Sequence, residues 1–172
     1  MSVLIKGGRV IDPASGLDAI ADVAVADGRV VGIQTIPADF RPSHILEAGA
    51  CVVAPGLIDL AARLREPGHE HARMLESEMA AAVAGGVTRL VCPPDTDPVL
   101  DEPGLVEMLR FRSEKLNLAR LHPLGALTRK LAGDTLTDMV ELSEAGCVAF
   151  SQAELPLANT LVMQRAFQYA ST

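Results

Sequence analysis

The pattern of apolar and polar positions changes character near residue 52. Up to that point short apolar runs are separated by turn formers. Residues 3–5 are closed by Gly7-Gly8, Val10 and Ile11 precede Asp12-Pro13, and residues 23–26 meet Val30-Val31 across Asp27-Gly28. Asp-Gly between two β-prone runs predicts a hairpin, because both central residues of a type I′ turn need positive φ. Residues 1–52 are therefore expected to form a small β module.

From residue 53 onward, buried strands alternate with amphipathic helices. Residues 52–60, interrupted by Pro55-Gly56, open this series as a strand, and strands are predicted again at 87–92, 121–124 and 147–150. Helices are predicted at 72–84, 104–115, from Asp134 or Thr135 to 144, and at 158–170. Gly85-Gly86 and Gly146 serve as helix stops, Pro93-Pro94 ends a strand, and Asp134 or Thr135 is the expected cap. Helices that return the chain for the next strand imply an α/β fold with a parallel sheet. The apolar sides of the helices, such as Leu105, Met108 and Leu109, read as core.

Composition narrows the function classes. Hydrophobic residues make up 49% of the 172 residues and charged residues 22%, which excludes a disordered chain. A net charge of −7 and 3% aromatic residues argue against nucleic-acid binding. No run approaches the roughly 20 apolar residues of a membrane span, so no membrane association is expected. Cys51, Cys92 and Cys147 are odd in number and contain no CxxC pair, so a reduced, cytoplasmic protein is expected. Neither Gly7-Gly8 nor Gly85-Gly86 has the spacing of a phosphate-binding loop, and nucleotide binding is set aside.

Four segments carry a resemblance. The run from Val53 to Gly68, containing PGLIDL and LREPG, resembles the first barrel strand of the dihydroorotases in the metal-dependent amidohydrolase superfamily. Gly85-Gly86-Val87-Thr88 looks like that family's helix-to-strand junction. Pro94-Asp95-Thr96-Asp97-Pro98 resembles its PNTNP loop, and Val148-Ala149-Phe150-Ser151 the strand before its FSDDG loop. The resemblance implies the N-terminal part of a (β/α)8 TIM-type barrel over residues 53–172, preceded by a β-sandwich module over 1–52. A full barrel takes around 250 residues. The chain is thus expected to be part of a longer protein, with open sheet edges covered by a partner, a second copy or the remaining segment.

The departures from the family pattern are as informative as the matches. Active members carry an HxH pair on the first strand, both side chains facing a binuclear zinc centre. Here those positions are Ala61 and Arg63. A methyl group cannot ligate zinc, and a guanidinium repels it. The metal-binding aspartate of FSDDG falls within Gln152 and Ala153, and the PNTNP asparagine is Asp95, an acceptor-only group that would repel an anionic substrate. Arg65 matches the arginine that clamps the substrate carboxylate, so Arg65 and Asp95 are vestigial substrate-binding positions. No cofactor is expected, although active relatives hold zinc. The resemblance implies an inactive pseudo-dihydroorotase associated with aspartate carbamoyltransferase, in a hetero-oligomer or homodimer. An active dihydroorotase or related cyclic amidohydrolase with an altered metal site is the alternative.

Other residues have competing readings. His69-Glu70-His71 is an HxH displaced from the expected place; the plainer reading is a solvated loop. His44 is expected at the surface, His122 as a hydrogen-bonded core or rim residue, and Cys92 as a small buried side chain. Arg65 is expected either to bind a ligand or to pair with Asp59, Glu66 or Asp95. Arg63 is expected to project where the metal would be and to neutralise Asp59 or Asp97.

Overall fold

A computed structural model describes residues 1–171, which divide into two compact units at Pro55/Gly56. The first is one sheet of five strands, β1 (Ser2–Asp12), β2 (Leu17–Ala26), β3 (Arg29–Ile33), β4 (His44–Glu47) and β5 (Val52–Val53), ordered β3-β2-β1-β4 with β5 also on β1. β1 and β2 are antiparallel, while β4 and β5 run parallel to β1. The β2–β3 hairpin closes on Asp27 at φ 50° and Gly28 at φ 74°, both in the left-handed region that the type I′ turn demands. A bulge interrupts β1 between Ile5 and Gly8, where the Gly7 amide donates to Asp22 Oδ1 at 2.8 Å. Val10, Ala21 and Val23 form the buried centre of this sheet, with Ile5, Val25 and Val53 packed against them.

The expected first barrel strand at 52–60 is two strands in two sheets. Val53 pairs with Val10 on β1, so the first unit extends past residue 52, and the second sheet begins only after Pro55-Gly56.

The second unit alternates β6 (Leu57–Asp59), α1 (Leu75–Ala84), β7 (Val87–Cys92), α2 (Pro103–Leu116), β8 (Arg120–Ala126), α3 (Met139–Glu144), β9 (Ala149–Ser151) and α4 (Thr160–Ala170). Its sheet has the order β6-β7-β8-β9, every pair parallel. Sequential order with a helix between neighbours is the connectivity of successive β/α units. Leu90 and Cys92 on β7, Leu121 on β8, Met79 on α1, Val106 and Leu109 on α2 and Leu142 on α3 make one aliphatic core between sheet and helices. Alternation along the strands turns Arg89, Val91, Arg120 and His122 to the opposite face.

Local chemistry moves some boundaries. α1 starts at Leu75 instead of 72, because the buried Glu66 carboxylate accepts from the Leu75 amide at 3.0 Å and fixes the first turn there. Gly86, at φ 82°, provides the left-handed residue that ends α1. α3 is capped by Asp138, whose Oδ1 accepts from Glu141 N at 3.2 Å, and not by Asp134 or Thr135. Residues ahead of it are held in a loop by the Thr128–Leu136 bridge and a 3-10 turn at Arg129–Leu131. Asn159 caps α4 through Leu161 N. No helix among the described residues is long and apolar enough to cross a membrane.

Candidate functional site

The residues singled out from sequence gather beyond the C-terminal ends of β6, β7 and β9, the edge at which β/α barrels carry their chemistry. β6 stops because Asp59 Oδ1 accepts from the Ala61 amide at 2.9 Å, turning the chain, while Ala62 N still donates to Val91 O on β7 at 2.9 Å. That turn presents Arg63. Its Nε donates to Asp95 Oδ2 at 2.9 Å and its Nη2 to Glu154 Oε1 at 2.9 Å. The two carboxylates come from the loops after β7 and β9, so one guanidinium ties three strand ends together. The hydrogen bond and charge of Asp95, followed by those of Glu154, raise the Arg63 pKa above its ordinary value.

The expected partners of Arg63 were Asp59 and Asp97, and neither accepts from it. Asp59 is consumed by the strand-end turn, and Asp97 packs against Gly68 with its amide donating to Pro67 O at 3.2 Å. Asp95 therefore serves as the acceptor of Arg63.

Arg65 has none of the three anticipated acidic partners. It is exposed, holds a left-handed backbone at φ 63°, and its carbonyl accepts from His69 N at 2.8 Å. Glu66 points the other way: it is 1% exposed, caps α1 through Oε2 and forms an ion pair with Arg112 of α2 through Oε1. Arg65 lines a cavity of about 240 Å³ together with Arg63, His69, Cys92, Asp95 and Thr96.

Gln152 and Ala153 stand where the resemblance places a metal-binding aspartate. Gln152 Oε1 accepts from Thr128 Oγ1 at 2.9 Å, and its Nε2 donates to Leu131 O at 2.7 Å. A carboxylate could accept the first bond but never donate the second. The amide thus pins the loop after β8. Ala153 takes φ 52° and donates its amide to Ser151 Oγ at 3.0 Å.

His69 and His71 lie in an exposed loop before α1, their rings edge-on with centroids 6.1 Å apart. Among the described residues no group of three His, Cys, Asp or Glu is placed to hold a metal ion. A binuclear zinc centre does not fit these residues, since a methyl group, an ion-paired guanidinium and a doubly hydrogen-bonded amide stand at the positions the resemblance assigns to it. The Cys92 thiol is pushed up to about 12 by burial and is no nucleophile at neutral pH. His44 is exposed and bonded to Ser43 Oγ. His122 departs from expectation: among the described residues its buried Nε2 has no hydrogen-bond partner, and burial with Arg89, Arg120 and Arg110 nearby lowers its pKa.

Three functional neighbours escaped the sequence reading, namely Glu154, Arg112 and the capping role of Glu66. Glu66 had a usable signal, a carboxylate ahead of a helix start. Glu154 and Arg112 are brought in only by tertiary structure.

The dihydro-orotase-like family profile matches residues 50–172, most of the chain. The chain belongs to that family. A dihydroorotase-like protein of Pseudomonas aeruginosa is 44% identical over 172 residues, and one of Pseudomonas putida is 43% identical. A dihydroorotase of a Geobacter species is 39% identical over 170 residues. The chain spans only 41% of the Pseudomonas relatives and 40% of the Geobacter one. Among solved structures, the L-hydantoinase of Arthrobacter aurescens superposes with a TM-score of 0.76 at 22% identity, covering 98% of this chain and 38% of the hydantoinase. An N-acyl-D-glutamate deacylase of Bordetella bronchiseptica gives 0.64 at 16% identity. At these identities the likeness establishes the fold, that of amidohydrolase β/α barrels.

Proposed function

We propose that this dihydroorotase-like chain belongs to a non-catalytic subunit of de novo pyrimidine biosynthesis, which supports the assembly or regulation of aspartate carbamoyltransferase. The observation that carries this reading is Arg63 held between Asp95 and Glu154. A fixed cation occupies the position at which active relatives are expected to present a histidine. Hydrolysis of a cyclic amide in such a site needs a metal-bound hydroxide of low pKa. Ala61 and Gln152 supply no charge that could recruit the metal. The Pseudomonas relatives, described as dihydroorotase-like, favour the same reading.

The alternative is an active cyclic amidohydrolase with an altered metal site, and the Geobacter relative named a dihydroorotase favours it. Metal analysis, turnover of dihydroorotate and co-purification with the transferase separate the two. The proposal expects no stoichiometric zinc, no turnover, and a complex with the transferase that survives gel filtration. Stoichiometric zinc with turnover would overturn it.

A further inference from the structure

The outward side of α2 carries a stripe that the fold of the chain does not use. α2 buries Val106, Leu109 and Ser113 and packs between α1 and α3. Glu107, Met108, Phe111, Glu114 and Lys115 share the opposite side and are all exposed. Met108, read as core from the sequence, is 38% exposed, and Phe111, one of only four phenylalanines, is 58% exposed. Open sheet edges do not account for this exposure. A β/α sheet grows at its edge strands, here β6 and β9, and added helices join the ring beside α1 and α4, leaving this face of α2 outermost. The charges on the helix are mostly paired within the chain. Arg110 donates to the Ala145 carbonyl at 2.8 Å and to Glu114 at 3.5 Å, and Arg112 pairs with Glu66. Among the described residues Glu107 and Lys115 have no ion-pair partner. They stand four positions before and four positions after Phe111.

We infer that this face of α2 docks on the same face of a second copy of the chain, the two helices antiparallel about a two-fold axis at Phe111. A two-fold axis sets each position before Phe111 against the position equally far after it in the second copy. Glu107 then meets Lys115 of the second copy, and the symmetry repeats that pair on the other side. The two Phe111 rings meet at the centre with Met108 beside them, an aromatic anchor inside a charged rim. Packed helices run 8–10 Å apart, a gap that glutamate and lysine side chains span together. Parallel helices in register would instead set Glu107 against Glu107 and Lys115 against Lys115, and like charges would drive them apart. Lys115 Nζ already lies 4.4 Å from the centroid of the Phe111 ring, so both side chains are ordered before contact and lose less freedom in making it. The inference is indifferent to whether the chain is catalytic.

Sedimentation equilibrium of the full chain at rising concentration and low ionic strength is expected to show reversible dimers. Phe111→Ala should weaken self-association by about tenfold or more, as loss of a central aromatic does. Glu107→Lys and Lys115→Glu should each weaken it by about fivefold or more, because each sets like charges together at two symmetric places. The double reversal Glu107→Lys with Lys115→Glu is expected to return the association constant to within about twofold of the original, since the opposite signs face each other again. Association through any other surface is blind to that exchange of signs. All these positions are exposed, and the helical circular dichroism should stay unchanged in every variant. A chain that stays monomeric, self-association that survives Phe111→Ala, or a double reversal no stronger than the single ones would overturn the proposal. So would a Phe111→Ala variant that loses the transferase while its self-association stands, which would give the face to a different occupant.

Discussion

The guanidinium of Arg63 meets the carboxylate of Asp95 at 2.9 Å across the ends of two adjacent parallel strands. Both side chains keep about a third of their surface in water, at 35% and 30%. Solvent screening holds such a pair to about 1 kcal/mol or less. Arg63→Gln is therefore expected to lower unfolding free energy by no more than about that amount in urea titrations. In a double-mutant cycle with Asp95→Asn the two losses should fall short of additivity, because they share the Arg63–Asp95 contact. Strict additivity would show that the pair contributes nothing.

Glu66 is the costlier residue to lose. Its carboxylate is buried, holds the first amide of α1 and faces Arg112. Glu66→Ala should cost about 2–4 kcal/mol, since it removes a buried charge partner and orphans a helix-start amide. Glu66→Gln should cost less, because an amide oxygen can still accept from Leu75 N. Equal losses for the two variants would assign the whole effect to the ion pair.

Thiol reactivity follows burial. Cys51 is exposed, Cys92 and Cys147 are buried, and burial pushes the last two thiols up to about 12 and about 11. An aromatic disulfide reagent at pH 8 is expected to titrate one thiol in the native protein and all three in denaturant.

His122 imposes a pH dependence. Its folded pKa is lowered from 6.5 by burial and by Arg89, Arg120 and Arg110. Below that ordinary value the unfolded chain takes up the proton first, so the stability contributed by the neutral ring is present above pH 6.5 and lost as pH falls toward the folded pKa. Denaturation midpoints of the wild type should decline more steeply between pH 7 and pH 5 than those of His122→Gln, a range spanning the ordinary histidine pKa. Parallel profiles would refute the assignment.

Gly68 shows how tightly the loops around the cavity are set. It has φ 102°, and a Cβ there would collide with the backbone of Asp97. Gly68→Ala should destabilise by about 1–3 kcal/mol, through strain and displacement of the loop after β7.

Much of the fold was legible because its signals are local. The Asp27-Gly28 turn, the Gly86 helix stop and the strand at Val87–Cys92 each follow from residue chemistry within a few positions. What was misjudged depends on distant partners. Val52–Val53 reads as the start of a barrel strand until β1 claims it, and α1 reads as longer until Glu66 selects its first amide. The site behaves likewise. That Arg63 would meet a carboxylate follows from its charge, but choosing Asp95 and Glu154 requires knowing that a turn consumes Asp59 and that Asp97 backs onto Gly68.

The arginine that binds three loops together also makes their cohesion independent of supply. A metal at such a place can be stripped by a chelator, exchanged for another ion or withheld when the cell is starved of it. The positive charge of Arg63 is translated with the chain and, with its pKa raised still further by Asp95, stays in place across the biological pH range. These loops should keep the same arrangement in a chelating buffer as in a zinc-rich one.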